Sequence, residues 1–216
     1  MRRLTTAVSG AVALLLTGSL VGLPSAAAAV RCDVRGATAA HVIDVTSSGS
    51  NATVRGCQRQ ADGSYVQAVG PYSGRVGYNG VISAASKREG DGRTPAGVYG
   101  MRSGFGALAN PGLARSWTVM TGNDFWVDDS LSSYYNTHQR GPANGRWTSA
   151  EKLLNRPAYD YAQVIGYNET RTPYRGSAIF LHVSTGGATA GCVSLPSSSL
   201  VALMHWEGSS AQIEIS

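Results

Sequence analysis

Near the C-terminus, in the stretch SAIFLHVSTGGATAGCVSLP (177–196), His182 and Cys192 stand ten residues apart. Such a pair can carry thiol acyl transfer. The thiolate attacks a carbonyl, and a neighbouring imidazole takes the thiol proton and later returns it to the leaving group. His182 ends an apolar run, and Cys192 follows Gly191. A glycine there lets backbone approach closely and leaves neighbouring amide N–H groups free to hold an oxyanion. The spacing alone fits equally well a strand histidine and a buried thiol that never meet. The other histidines offer less. His41 precedes a distant strand, His138 lies in the polar stretch YYNTHQRG, and His205 adjoins Trp206 in a run suited to packing. Zinc chemistry is disfavoured: no C-x-x-C pair and no H-E-x-x-H occurs. The serine-hydrolase elbow G-x-S-x-G is absent as well.

The elements that must position the pair read as strands and turns. AHVIDVTSS, NATVRGCQRQ and YVQAVGPYSGRVGYNGVI are rich in Val, Tyr and Thr, and GSN and ADGS between them are turn signals. GVYGM, SWTVMTG and YDYAQVIGYN continue the pattern, and GSAIFLHVS reads as a strand buried on both faces. Two helices are expected. TSAEKLL would be capped by Thr148 or Ser149, with Glu151 as capping-box partner. SSSLVALMHWEG would be capped by its serines and stopped at Gly208. The fold class expected is mainly β, a single-domain sandwich or open barrel with a few peripheral helices.

Residues 1–29 carry Arg2 and Arg3, then an apolar run, then PSAAAA, which is the pattern of a cleaved secretory signal; an uncleaved anchor is the alternative. Residues 30–64 are expected as N-terminal strands that belong to the domain or lead into it, and 65–216 as the main domain. No later segment has the ~18 apolar residues of a membrane helix, so no membrane span is expected after cleavage. Without Arg2 and Arg3 the chain has 16 basic and 13 acidic residues, a net charge of +3. They are scattered without a Lys/Arg stripe, which argues against nucleic acid as a partner. Three cysteines in a secreted chain leave one over. A Cys32–Cys57 bridge with Cys192 as free thiol is favoured, and three reduced cysteines are the other possibility.

The segment FLHVSTGGATAGCVSL resembles the active-site segment of the L,D-transpeptidase catalytic domain, the YkuD-type fold. Upstream, KREGDGRTPAGVYGM, WVDDSLSSYYN, SAEKLL, YAQVIGYN and RGSAIFLHV are similar to a secreted bacterial branch of that family, so the resemblance spans roughly residues 65–216. It implies a YkuD-like fold, His182 as general base, Cys192 as nucleophile, and Thr189 and Gly191 in the Ser/Thr-x-Gly-Cys motif. Gly191 and Cys192 amides would hold the oxyanion. Ala190 stands where the family has a second His, Ser194 where it has Arg or Asn, and Val183 where Gly or Ser is frequent; substrate choice therefore departs from the family pattern.

The function this implies is cysteine-dependent transpeptidation of peptidoglycan stem peptides outside the cell or at its wall, by a monomer needing no metal or other cofactor. An L,D-carboxypeptidase or hydrolase with the same Cys/His site is the alternative, and a non-catalytic wall-binding module a further one. Thr189, Ala190, Ser194, Arg93 and Tyr135 are expected to contact substrate. Arg88, Glu89, Asp91 and Arg93 could line a cleft or form a solvated loop. Asp128 and Asp129 read as an acid/base pair or, more simply, as a turn with an Asx cap.

Overall fold

The computed structural model describes residues 29–216. The expected leader, but for Ala29, lies outside the described residues.

Hydrophobic alternation and turn chemistry produce a chain of strands. They are β1 (His41–Ser48), β2 (Asn51–Arg59), β3 (Tyr65–Arg75), β4 (Val81–Ser83), β5 (Thr94–Gly106), β6 (Trp117–Val119) and β7 (Asp124–Val127). Then follow β8 (His138–Arg140), β9 (Ala150–Lys152), β10 (Ala162–Ile165), β11 (Phe180–Val183), β12 (Val193–Leu195), the helix α1 (Ser197–Trp206) and β13 (Gln212–Ile215). The architecture is mainly β, as expected, and barrel- or sandwich-like.

The main sheet runs β10-β11-β12-β3-β2-β1-β13-β5-β4, and β10 also pairs with β5. The strands from β10 to β5 therefore form a closed ring, which removes the exposed edges of an open sheet. β1 and β2 sit in the middle of this ring, so residues before 65 are structurally part of it. A second, three-stranded sheet, β8-β7-β9, lies apart.

Period-2 alternation sorts the side chains into clusters. Ile43, Val45, Val54, Leu181, Val183, Val193, Leu195, Ile213 and Ile215 form the largest one, with Leu200, Leu203 and Met204 of α1 packed into it. Phe105, Met120, Leu153, Tyr159, Ala162, Phe180 and Cys192 form a second, with Trp126 against it. A third joins Val42, Cys57 and Tyr65 to Ala37 and Cys32. The Cys32–Cys57 disulfide staples the N-terminal segment to β2 there, which leaves Cys192 as the free thiol.

Two local expectations change. TSAEKLL is not a helix: Ala150, Glu151 and Lys152 pair antiparallel with Val127, Trp126 and Phe125. Thr148, the expected cap, gives its hydroxyl and amide to Asp129 Oδ2 at 2.8 and 2.9 Å. A helix of one or two turns is marginal alone, and a ladder partner outcompetes it. The second helix exists as α1, but its N-cap is Pro196 with no side-chain cap bond, in place of a serine. Gly208 follows it at φ +66°, as its stop position required.

Candidate active site

The parallel pairing of β11 with β12 sets Leu181 beside Val193, His182 beside Ser194 and Val183 beside Leu195. Leu181, Val183, Val193 and Leu195 all enter the largest cluster. Alternation then turns Phe180, His182, Cys192 and Ser194 to the opposite face. Cys192 precedes β12 by one residue and sits next to Phe180, whose amide N donates to its Sγ at 3.3 Å. His182 and Cys192 are thus diagonal neighbours on one face of two adjacent strands. Both line the same cleft of about 330 Å³.

At rest each is tied to backbone. Cys192 Sγ donates to the Ala178 carbonyl at 3.2 Å. His182 Nδ1 lies 2.9 Å from the Val183 carbonyl, which can only accept, so the neutral ring carries its proton on Nδ1 and keeps the Nε2 lone pair. The His182 ring meets Tyr159 edge-on at 5.3 Å. Tyr159 and Phe180 meet at 5.8 Å and Trp126 and Phe180 at 5.1 Å, so an aromatic cluster lies behind the thiol, with Tyr159 alone of the three in the cleft lining. Burial there disfavours charge. It pushes the thiol of Cys192 up to about 12, reinforced by the Glu151 carboxylate and only partly opposed by the Phe180 amide and Lys87. Burial lowers the His182 pKa, against the carbonyls of Val183 and Ala158. The resting pair is therefore neutral thiol and neutral imidazole.

Loop 184–192 is held by short bonds. Thr189 Oγ1 donates to the Cys192 carbonyl at 2.6 Å and accepts from the Gly191 amide at 3.1 Å. Thr94 Oγ1 reaches the same Cys192 carbonyl at 3.3 Å. Gly191 has φ +151°, a region L side chains rarely adopt, and a Cβ there would stand 3.0 Å from the Arg93 carbonyl, a close approach that the carbonyl would have to yield to. The expectation that the Gly191 amide is free for an oxyanion is corrected: Thr189 Oγ1 holds it.

Acidic groups line the remaining wall with Lys87. Glu89 accepts hydrogen bonds from the Tyr135 and Ser177 hydroxyls, the latter at 2.8 Å. Glu151, expected as a capping partner, instead accepts the Tyr159 hydroxyl and lines the cleft. Burial pushes its carboxyl up against that hydrogen bond, and the Asp128 and Glu89 carboxylates add to the rise. Asp129 is the Asx turn, accepting from the Leu131 amide at 3.0 Å, whereas Asp128 lines the cleft.

Of the residues singled out in the sequence, His182, Thr189, Ala190, Gly191, Cys192 and Ser194 share the cleft. Glu89 lines it too, but Arg88 and Asp91 do not, nor do Arg93 and Tyr135, which were expected to contact substrate. Arg93 contributes its carbonyl behind Gly191, and its amide donates to Asp91 Oδ1 at 2.9 Å. Tyr135 is 1% exposed and reaches the cleft through Glu89, while the Gly176 amide donates to its hydroxyl at 3.0 Å. His138, read as a loop residue, lies in β8 and bonds Asp124 Oδ1 at 2.9 Å. Sequence reasoning missed Tyr159 and Lys87 and misassigned Glu151. No spacing rule connects these residues to His182; only the approach of β9 and the 155–160 turn does so.

Compared with family models, curated proteins and solved structures, the chain matches none of them.

Proposed function

We propose that the protein is a secreted cysteine acyltransferase that acts on peptidoglycan stem peptides, an L,D-transpeptidase. One observation carries the thiol chemistry: the unpaired cysteine and a neutral histidine lie diagonally on one face of β11 and β12, inside one cleft, while the stem-peptide substrate rests on the resemblance of FLHVSTGGATAGCVSL and the segments upstream of it. Secretion accords with the Cys32–Cys57 disulfide, since such bonds persist in oxidising compartments. Among the described residues no helix is long and apolar enough to cross a membrane.

With the thiol raised and the imidazole lowered, a preformed thiolate–imidazolium pair is disfavoured. Proton transfer accompanies attack. Sγ leaves the Ala178 carbonyl, its proton passes to His182 Nε2, and the S–C bond forms on the substrate carbonyl. The resulting oxyanion reaches the Gly191 amide only once the Thr189 Oγ1 bond is given up. Collapse breaks the C–N bond, and His182 returns the proton to the leaving amine. A second stem's neutral amine then attacks the thioester carbonyl and forms a C–N bond, its proton passes to His182 Nε2, and the C–S bond breaks as His182 returns that proton to Sγ, which regenerates the Cys192 thiol.

The test is intact mass spectrometry of the protein with tetrapeptide stems, beside Cys192→Ala and His182→Ala. An adduct on Cys192 and dimerised stems are expected for the wild type alone. No adduct and no product across several stem types would sink the enzymatic reading. Trimmed stems without dimers would assign water as the acceptor.

A further inference from the structure

One residue of the cleft holds a conformation that its type disfavours. Ala178 has φ +53°, and of the described non-glycine residues at positive φ it alone lines the cleft. A residue with a Cβ is strained there and stays only where its surroundings hold it. What Ala178 presents is its carbonyl, the acceptor for Cys192 Sγ at 3.2 Å. What holds it is Asn136, whose Oδ1 accepts from the Ala178 amide at 3.1 Å. Asn136 also stands at positive φ, +54°, a region asparagine tolerates better than most residues. Its side chain uses all its hydrogen-bonding capacity. Oδ1 also accepts from Trp126 Nε1 at 2.9 Å, and Nδ2 donates to the carbonyls of Tyr167 at 3.1 Å and Asn168 at 2.9 Å. Trp126 in turn packs edge-on against Phe180, whose amide donates to Cys192 Sγ. Both backbone contacts of the sulfur therefore lead back to Asn136. Asn136 itself lies outside the cleft lining, against a separate cavity of about 360 Å³ that shares only Ile179 with the cleft.

We propose that Asn136 is a positioning residue for Cys192: by holding Ala178 in the left-handed conformation it aims the Ala178 carbonyl at Sγ and fixes where the sulfur rests. It acts through Ala178, and the proposal rests on the acyl-transfer reading only for what the thiol attacks. An S–H that donates to a carbonyl is held as thiol, because the thiolate would face the negative end of that dipole. Loosening the carbonyl therefore has two effects of opposite sign. The sulfur ionises more easily, and it leaves the place from which an acyl carbonyl is attacked. Reactivity toward a small alkylating agent rises while acyl transfer falls. A hydrogen bond that opposes strain matters less once the strain is gone, so the size of both effects depends on the residue at 178. Loss of packing around Asn136 would carry no such dependence.

The test compares wild type with Asn136→Ala and with the isosteric Asn136→Asp, which keeps the acceptor and loses both Nδ2 donors. Iodoacetamide alkylation of Cys192 is followed from neutral to alkaline pH, and adduct formation with tetrapeptide stems by intact mass. Asn136→Ala should raise the alkylation rate about threefold or more and slow adduct formation about tenfold or more. Asn136→Asp should move both in the same directions, and it carries the comparison where Asn136→Ala does not fold. Each substitution is then repeated beside Ala178→Gly, since glycine takes φ +53° without strain. Its effect on alkylation should there be at most about half as large. Alkylation needs no substrate, so a wild type that forms no adduct sinks the acyl-transfer reading and leaves alkylation to decide this one. Alkylation unchanged in both Asn136 variants, or an effect of equal size with alanine and with glycine at 178, would overturn the proposal.

Discussion

Cys192 is a thiol in an aromatic wall, and its surroundings hold it protonated. Burial is the larger influence and the Glu151 carboxylate the second. Alkylation of Cys192 by iodoacetamide is therefore expected to be slow at pH 7 and to rise through pH 9 without a plateau, because only the thiolate reacts. A plateau near neutral pH would contradict this reading of the site. Glu151→Gln removes a neighbouring negative charge, so the alkylation rate at fixed pH should rise several-fold. An unchanged rate would show that Glu151 exerts no field on the thiol. The reactive residue types were legible from the sequence because histidine and a lone cysteine are rare and chemically distinctive. Glu151 and Tyr159 were not, since carboxylates and phenols abound on surfaces, and only their inward turn gives them a role.

At the scale of elements, β11 and β12 determine the pair. Alternation along FLHV and CVSL sends apolar side chains one way and Phe180, His182, Cys192 and Ser194 the other. The loop between them must bring Cys192 back beside Phe180, and Gly191 makes that passage possible. Gly191→Ala should cost about 1–3 kcal/mol of stability, from an unfavourable φ and a close Arg93 carbonyl. Urea unfolding measures it, and a variant as stable as wild type would refute the close passage. The strands from 40 to 75 were legible because β-branched runs and Gly/Asn/Asp turns coincide there. TSAEKLL misled for the opposite reason: its local preference is helical, and pairing with β7 overrides it.

Across the whole molecule, two features far from the cleft govern stability. Glu207 follows α1 and is 0% exposed, accepting from Gln163 Nε2 at 2.6 Å, with Arg115 Nε at 3.4 Å. Burial pushes its carboxyl from 4.5 up to about 7, opposed by Gln163 and Arg115. Its folded pKa exceeds its unfolded one, so the native state binds the extra proton. Its contribution is complete below the unfolded value of 4.5 and is lost as pH rises through about 7. Relative to Glu207→Gln, the wild type should lose about 3 kcal/mol over that window, measured by denaturant unfolding at several pH values. A difference independent of pH would refute the shift. The Cys32–Cys57 bridge closes a separation of 25 residues. Replacing both cysteines by serine should cost about 3 kcal/mol, read as a lower urea midpoint. An unchanged midpoint would show that the third cluster holds the N-terminal segment unaided.

The amino-acid sequence by itself determined which chemistry was available: one cysteine left over, one histidine on an apolar strand, and alternation strong enough to build a β fold. Those features are local, since composition, period and cysteine parity are read along the chain. Tertiary structure alone decided that β11 and β12 are parallel neighbours in this register, which places His182 diagonal to Cys192 on one face. It also decided that Glu89, Asp128 and Glu151 line the same cleft, and that Arg93 and Tyr135 stand outside its lining. These arrangements depend on pairings between residues tens of positions apart. Their energies come from ring closure of the sheet and burial of shared clusters, and no local segment carries that information.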